Sequence, residues 1–484
     1  MTIMKTFSKQ ISALIILLSA LLGCQPGDVD TLSGKLGNKG SVNGWIFDMM
    51  HDAYFWYDEM PAKQSLDTTE NPDAFFEKLV YQRKVYDRFS LITDNYSAMQ
   101  QQLNGVVKAF GISYTPAYID AGKTAVALFV SHIIKGSPAA NAGMKRGDII
   151  VQIDGKTLTT ENYGTFLSAQ ESVTLTLGTI VDQSLQLNPK TIPLTRAQIT
   201  EDPVAVAGVI RKQNKRIGYV VYTQFVPGTE ADKEKYDNTL RRIFADFKAE
   251  GVNELVLDLR LNGGGYVSSA LTLASLIVPG SGANRLFYTE QWNDKYMAYW
   301  KKEKGEDALN YRFSKESSNI GDNLSRVFVL TSKGTASASE LVVNGLRPYM
   351  NVITVGDHTA GKNLFGALIG DEKKRWNYGI YMMLGQTANA DGRSDYGTAS
   401  GMAPDVAVAD NRFPFLPFGD ENETLLRAAL VEMGVATGQP ARLANTRETE
   451  RVTPAPLRDT PSVLDGRMIK AAPEGGPLLV KPDL

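Results

Sequence analysis

A strand–helix–strand signature in the second half of the chain limits the possible folds more than any other feature. Val327-Phe328-Val329-Leu330-Thr331 is apolar and β-branched, an apolar helical stretch follows Glu340, and Val352-Ile353-Thr354-Val355-Gly356 is apolar and β-branched again. Two strands joined through a helix run parallel. A right-handed crossover then brings their carboxyl ends to one sheet edge, where open α/β folds place their ligands. Ser337 stands just past the first run, in Thr335-Ala336-Ser337-Ala338-Ser339-Glu340, and Lys362 just past the second, in Gly361-Lys362. A hydroxyl and an amine are therefore expected to meet.

A serine hydroxyl is a poor nucleophile until a base takes its proton, and an ordinary lysine, with a pKa of about 10.4, is charged at neutral pH. Burial in a water-poor pocket disfavours the ammonium and lowers that value by roughly 3 to 5 units when complete. Ala336, Ala338, Leu364 and Phe365 are the expected walls of such a pocket. The blander reading is a helix-capping Ser337 and a solvated Lys362. Other nucleophile systems fit poorly: the chain has three histidines, His51, His132 and His358, and no Gly-x-Ser-x-Gly, Ser-x-x-Lys or His-Glu-x-x-His. His358, near Lys362, reads as a surface or packing residue. No metal site and no cofactor are expected. Gly263-Gly264-Gly265 is not followed by the Lys-Ser/Thr pair of a phosphate-binding loop.

With 484 residues and 43% hydrophobic content the chain can form two or three cored domains. Its net charge of -2 offers no field for nucleic acid. At the N-terminus Lys5 and Lys9 precede the apolar run Ile11 to Leu22, which is short for a membrane span and suits a signal peptide. Leu21-Leu22-Gly23-Cys24 resembles the bacterial lipobox, which implies a signal at 1–23, lipidation of Cys24 and a tether over 24–40. An ordinary secretory signal is the alternative. Cys24 is the only cysteine, so no intramolecular disulfide can form.

Trp45, Phe47, Met50, Tyr54, Trp56, Phe75, Phe76 and Leu79 lie in helical patterns, which predicts a small helical domain over 41–103. Residues 104–196 change to short strands and glycine turns. In Gly136-Ser137-Pro138-Ala139-Ala140-Asn141-Ala142-Gly143, Ser137 suits a helix N-cap, Pro138 the first turn and Gly143 a left-handed exit. Gly147-Asp148 then leads into a strand with Ile149, Val151 and Ile153 on one face, and Asp154-Gly155 signals a tight turn. This string resembles a PDZ domain of the bacterial protease type. The resemblance implies that Phe110, Gly111, Ile112 and Ser113 form a peptide-binding loop and strand, which would hold a C-terminal carboxylate on backbone N–H groups. A β-rich domain that binds no peptide is the alternative.

From 197 to 435 the texture is α/β: a strand at Ile217 to Tyr222, an amphipathic helix over Asp232 to Ala249, and a buried strand at Glu254 to Arg260 ending in Asn262-Gly263-Gly264-Gly265. Residues 281–325, rich in Tyr, Trp, Asn and Lys, are hard to place. The segment 436–484 reads as a disordered or loosely docked tail. Flexible joints are expected near Asn104-Gly105 and from Pro203 to Gly208.

Leu257-Asp258-Leu259-Arg260-Leu261-Asn262-Gly263-Gly264-Gly265, the Ser337 segment, Gly361-Lys362 and Gly401-Met402-Ala403-Pro404-Asp405 together resemble the carboxyl-terminal processing, or tail-specific, serine proteases. The resemblance implies a multidomain α+β protein with a crotonase-like α/β core, Ser337 as nucleophile and Lys362 as base. It also implies oxyanion donors from Ala338 and from Gly264 or Gly265. Ala338, at a helix start, also suits that role through the helix dipole. Gly366 stands where much of the family carries a glutamine that orients the lysine, leaving Asn363 as the polar neighbour considered for that task. Three functions stay open. The first is an endopeptidase acting on unfolded proteins chosen by their C-termini, lipid-anchored in the envelope and facing the periplasm from the outer membrane. A peptide-holding lipoprotein without catalysis is the second, and a hydrolase of small esters or peptidoglycan peptides the third.

Overall fold

The computed structural model describes residues 40–437, apart from 121, 165–166, 168–169, 182–183 and 281–283, together with 467–469. Its centre is a six-stranded sheet in the order Val204–Lys212, Lys215–Tyr222, Glu254–Asp258, Arg326–Thr331, Asn351–Gly356 and Val406–Ala407. The first pair is antiparallel and every later pair is parallel. The two runs around Ser337 are indeed neighbours, with Val327 opposite Val352 and Leu330 opposite Val355.

Side chains alternate across these strands, so each face carries its own core. Val220, Leu255, Leu257, Val327 and Val329 face the helices Lys235–Ala249, Val267–Ile277 and Ala338–Leu346. On the other face Tyr219, Val221, Val256, Phe328 and Leu330 pack on Leu425, Leu426 and Ala429 of helix Thr424–Glu432.

A second sheet lies beyond those helices, in the order Gly264–Tyr266, Arg467–Ile469, Leu364–Gly370, Gly379–Ala388, Leu286–Trp292 and Asn310–Arg312. The expected helical region is present as Val42–Ala53, Pro72–Leu79 and Tyr96–Leu103, and it packs on the sheets. Trp45, Ile46, Tyr54 and Phe75 share one core with the sheets, and strand Leu91–Thr93 pairs with Gly379–Ala388. The 281–325 region supplies the strand Leu286–Trp292 and helix Asp294–Lys304, and Asn293 Nδ2 donates to Asp52 O and Tyr54 O at 3.0 and 3.1 Å. It braces the N-terminal helices.

Strands Ile112–Tyr118, Val126–Ile133, Ile149–Ile153, Ser172–Val181 and Ser184–Thr195 form the PDZ sheet, with Ile112–Tyr118 at its edge. Ser137 Oγ caps helix Pro138–Asn141 by accepting from Ala140 N–H at 3.2 Å, and Gly143 exits it at φ +82°. Asp154 and Gly155 both have positive φ, as a two-residue hairpin turn requires. Both chain crossings between this sheet and the core are tied in a ribbon, Val106–Ala109 against Ala197–Thr200. The expected joint at Pro203 to Gly208 is mostly strand, since Val204–Lys212 pairs along Lys215–Tyr222. Backbone bonds that satisfy its N–H and C=O groups leave little room for a hinge there.

The PDZ sheet is also clamped from outside by the 413–418 segment. Phe129 stacks on Phe413 at 4.5 Å, and the Arg146 guanidinium lies 4.5 Å from the Phe415 ring and 4.1 Å from that of Phe418.

Three residues of the tail are described, and they are docked. Arg467–Ile469 is a strand that lies parallel to Gly264–Tyr266 and to Leu364–Gly370. Main-chain pairing, which needs no apolar periodicity, puts it there, so composition gave no sign of it.

Candidate active site

The loop that carries Ser337 is tied to the exit of the Glu254–Asp258 strand. Thr335 Oγ1 donates to Leu259 O at 2.9 Å and Ser332 Oγ to Arg260 O at 2.6 Å. Asn262 adds more ties: its Nδ2 donates to Tyr222 O at 3.0 Å, and its carbonyl accepts from Ala336 N–H at 3.1 Å and Ser339 Oγ at 3.0 Å. Held in this way, Ser337 adopts φ +63° and ψ −111°, and helix Ala338–Leu346 begins at the next residue. Such a conformation costs a non-glycine residue on the order of 1–3 kcal/mol and must be over-determined by its surroundings. A sharp strained turn into a helix is how nucleophile elbows present a serine. The Ser337 side chain is buried, and its Oγ has no hydrogen-bond partner among the described residues.

Glu340, one turn into the helix, connects the two halves of the site. One carboxylate oxygen accepts from Ser337 N–H at 2.6 Å and from Lys362 N–H at 2.9 Å; the other accepts from Thr359 Oγ1 at 2.5 Å and Gly361 N–H at 2.8 Å. A single oxygen therefore joins the backbones of Ser337 and Lys362. Burial pushes the Glu340 carboxyl up to about 7, against the pull of these four donors.

Lys362 is completely buried. Its Nζ lies 4.8 Å from the centroid of the Phe89 ring and 5.3 Å from that of Tyr381. Next to Phe89, Arg88 donates to Gly361 O at 2.6 Å and Thr398 O at 3.2 Å, fastening the lysine loop from the far side. Gly361 sits at φ +77°, where a Cβ would fall 1.7 Å from Thr398 O, so only glycine fits. Ala336, Ala338, Leu364 and Phe365, the expected walls, are all buried.

Asn363 does not take the orienting role considered for it, because its amide donates to Ser394 O and Oγ, both at 2.9 Å. No orienting side chain fits at Gly366 either: a Cβ there would lie 2.5 Å from Met382 O. The sequence reading missed Glu340, Arg88 and Phe89 as site residues. Glu340 had a signal, since Ser337 and Glu340 have capping-box spacing. Arg88 and Phe89 lie more than two hundred residues away along the chain, so no local pattern connects them with Lys362.

Of the two candidate glycines, Gly264 has its N–H engaged by Asn262 Oδ1 at 2.9 Å. The Phe225 segment pairs with Gly265 by donating to Gly264 O and accepting from Tyr266 N–H, at 2.9 and 2.7 Å. Strand alternation then turns Gly265 N–H to the opposite side. Ala338, as the first residue of its helix, has an N–H beyond the reach of any helical carbonyl. His358 is exposed beside Asp357, and burial lowers the pKa of His132 to about 4.

In the PDZ sheet, Phe110 is buried and its carbonyl accepts from Ala139 N–H at 3.0 Å, while Ile112 and Ser113 open the edge strand opposite Ile133 and His132. Among the described residues there is no cluster of metal-binding side chains and no helix long and apolar enough to cross a membrane. Cys24, the signal at 1–23 and nearly all of the tether lie outside the described residues.

Three family models match the chain: the peptidase S41 N-terminal domain over 41–91, a PDZ domain over 129–177 and peptidase family S41 over 216–408. A chloroplastic C-terminal processing peptidase of Tetradesmus obliquus is 25% identical over 68% of this chain and 66% of its own length. For a carboxyl-terminal-processing protease of Picosynechococcus the figures are 26%, 61% and 64%. The chain thus matches somewhat under two thirds of these curated relatives. A Bacteroides fragilis crystal structure assigned to the S41 proteases aligns with a TM-score of 0.68 at 29% identity, covering 81% of this chain and 98% of that one. The sheets, the PDZ domain and the site define a PDZ-bearing α/β architecture. The chain belongs to peptidase family S41.

Proposed function

We propose that this protein is a serine endopeptidase in which Ser337 is the nucleophile and Lys362 the general base. The observation that carries the reading is the buried Ser337 turn, joined through one Glu340 oxygen to the backbone of a completely buried lysine. Neutral Lys362 takes the Ser337 proton as Oγ attacks the scissile carbonyl. The ring faces of Phe89 and Tyr381 then favour the ammonium that forms. Ala338 N–H and Gly265 N–H receive the oxyanion, with Gly264 excluded because Asn262 already holds its N–H. The ammonium returns its proton to the leaving amine. Water, deprotonated by the same amine, releases the acyl group.

Substrates in this proposal are unfolded proteins delivered by their C-termini. The free edge of Ile112–Tyr118 can accept a peptide as an added strand, with Phe110, Gly111, Ile112 and Ser113 at its start. The domain limits 41–103, 104–196 and 197–435, lipidation at Cys24 and an envelope location belong to the same proposal. The test compares wild type, Ser337→Ala and Lys362→Ala on an unfolded protein with an apolar C-terminus, with fragments read by mass spectrometry. Both variants should lose at least a thousandfold in rate. Undiminished cleavage by either would end the dyad. Absence of cleavage by wild type would favour a peptide-holding protein, and turnover of small esters alone a different hydrolase.

A further inference from the structure

The second sheet has a place for one strand beside the candidate site, and residues of the chain's own tail fill it. Gly264–Tyr266 uses one edge to pair with the Phe225 segment. Its other edge pairs with Arg467–Ile469, in the register Gly264 to Arg467, Gly265 to Met468 and Tyr266 to Ile469. On the far side Ile469 is opposite Gly366 of the strand that follows Lys362. Remove those three residues and the sheet has a gap one strand wide, bounded by the glycine strand and the lysine strand. The serine helix Ala338–Leu346 packs against the tail strand.

Both walls of this gap carry a glycine opposite the tail strand. A Cβ on Gly265 would lie 2.1 Å from Phe225 O, and one on Gly366 2.5 Å from Met382 O. Each position thus requires glycine, and the pairing that the two edges offer an incoming strand is main-chain. In parallel register the Gly265 N–H, turned away from Phe225, meets the Arg467 carbonyl, and the Gly265 carbonyl meets the Ile469 N–H. A peptide carbonyl of the tail thus sits on the N–H assigned above to the oxyanion.

We propose that this gap is the main-chain subsite for an extended polypeptide and that the chain's own Arg467–Ile469 occupies it in cis, as an intramolecular competitor of substrate. The inference rests on the reading of Gly265 as oxyanion donor for its consequence on rate, but not for its consequence on binding. Recognition here is by strand addition, so it tolerates many side chains and requires an extended segment with its N–H groups intact.

The test uses the full chain and the variant Ile469→Pro, which lacks the N–H that meets Gly265. In a Ser337→Ala background, hydrogen exchange should show the amides of 467–469 protected, with protection lost in Ile469→Pro. A fluorescent peptide of residues 463–472 should bind Ile469→Pro at least tenfold more tightly than the unaltered tail. With Ser337 restored, Ile469→Pro should lower KM for an unfolded protein severalfold with little change in kcat. Unprotected tail amides, equal peptide affinity for the two chains, or no peptide binding to either would overturn the proposal. These binding outcomes stand even if the protein cleaves nothing, so failure of the subsite and failure of the peptidase reading are separable.

Discussion

Two buried glutamates, Glu340 and Glu423, do opposite things with the same carboxylate. Glu423 lies between guanidiniums: Arg260 Nη1 and Nη2 reach its two oxygens, at 2.5 and 2.9 Å, and Arg146 Nη2 comes within 3.2 Å. Burial opposes its ionisation, but Arg260 prevails and its carboxyl is held below the usual range. Glu340 has only neutral donors, three backbone N–H groups and a hydroxyl, and burial prevails there. Glu423 fastens the PDZ sheet to the core through charge. Glu340 positions the Ser337 and Lys362 backbones without relying on charge. A strong carboxylate–ammonium pair beside a lysine base would keep that base protonated, so a hub made of backbone donors suits a site in which the lysine must lose its proton.

The largest effect expected from breaking this contrast is on the charged side. Arg260→Met would leave buried Asp258 and Glu423, and the partly exposed Asp410, without their common partner. Removing one member of a buried ionic cluster costs about 3–5 kcal/mol. Urea denaturation should show that loss, and a change below about 1 kcal/mol would mean that the cluster is not desolvated in solution.

The two glutamates also predict opposite dependences on pH. With its folded-state pKa raised from 4.5 to about 7, Glu340 contributes stability that is fully present below about pH 4.5 and is lost as pH rises through 7. At 1.36 kcal/mol per unit this amounts to roughly 3 kcal/mol. Glu423, with its pKa lowered, contributes stability present above the unfolded value and lost as pH falls through the folded one. Denaturation midpoints followed from about pH 2 to about pH 8 should therefore lose their alkaline-side decline in Glu340→Gln and part of their acid-side decline in Glu423→Gln. A Glu340→Gln curve that still fell between pH 5 and 8 as the wild type does would remove Glu340 as the source.

Glu340→Gln has a second, smaller cost. Whichever way the amide turns, its NH2 faces at least one backbone donor, either Ser337 and Lys362 N–H or Gly361 N–H beside the Thr359 hydroxyl. Unsatisfied buried donors cost about 1–3 kcal/mol. The same change should lower kcat at least a hundredfold with KM little altered, because it misplaces the base relative to the nucleophile. A variant as active as wild type would show that the shared oxygen is structural alone.

What the sequence revealed divides along similar lines. The parallel strands around Ser337, the Ser137-capped helix, the Asp154-Gly155 turn and the amphipathic Lys235–Ala249 helix were legible, because each rests on local periodicity or on a turn residue with a specific φ. The fold class came from the family resemblance that the motifs carry. Contacts made by backbone groups or by distant side chains were not legible. Neither the tail strand nor the main-chain bonds of Glu340 leave any periodicity. Arg88 and Phe89 reach Lys362 from the N-terminal segment, and the 413–418 clamp on Arg146 comes from a loop with no pattern of its own. Gly366, which looked like a missing orienting side chain, is a wall with no room for one.

The mildest perturbation tests the neutral side of the comparison at the lysine itself. Phe89→Leu keeps the pocket apolar and similar in volume but removes a ring face 4.8 Å from Nζ. Cation–π contacts are worth about 0.5–1 kcal/mol at exposed sites and about 2 when desolvated. Losing one disfavours the ammonium, so less acid is needed to keep the amine free, and the acidic limb of the pH–rate profile should move to lower pH by roughly half a unit to one unit. On the plateau kcat should fall a few-fold, because the ammonium formed during attack is less well stabilised. A shift of the limb to higher pH would show that Phe89 acts by excluding water rather than by holding a cation, since a wetter pocket favours the charged lysine.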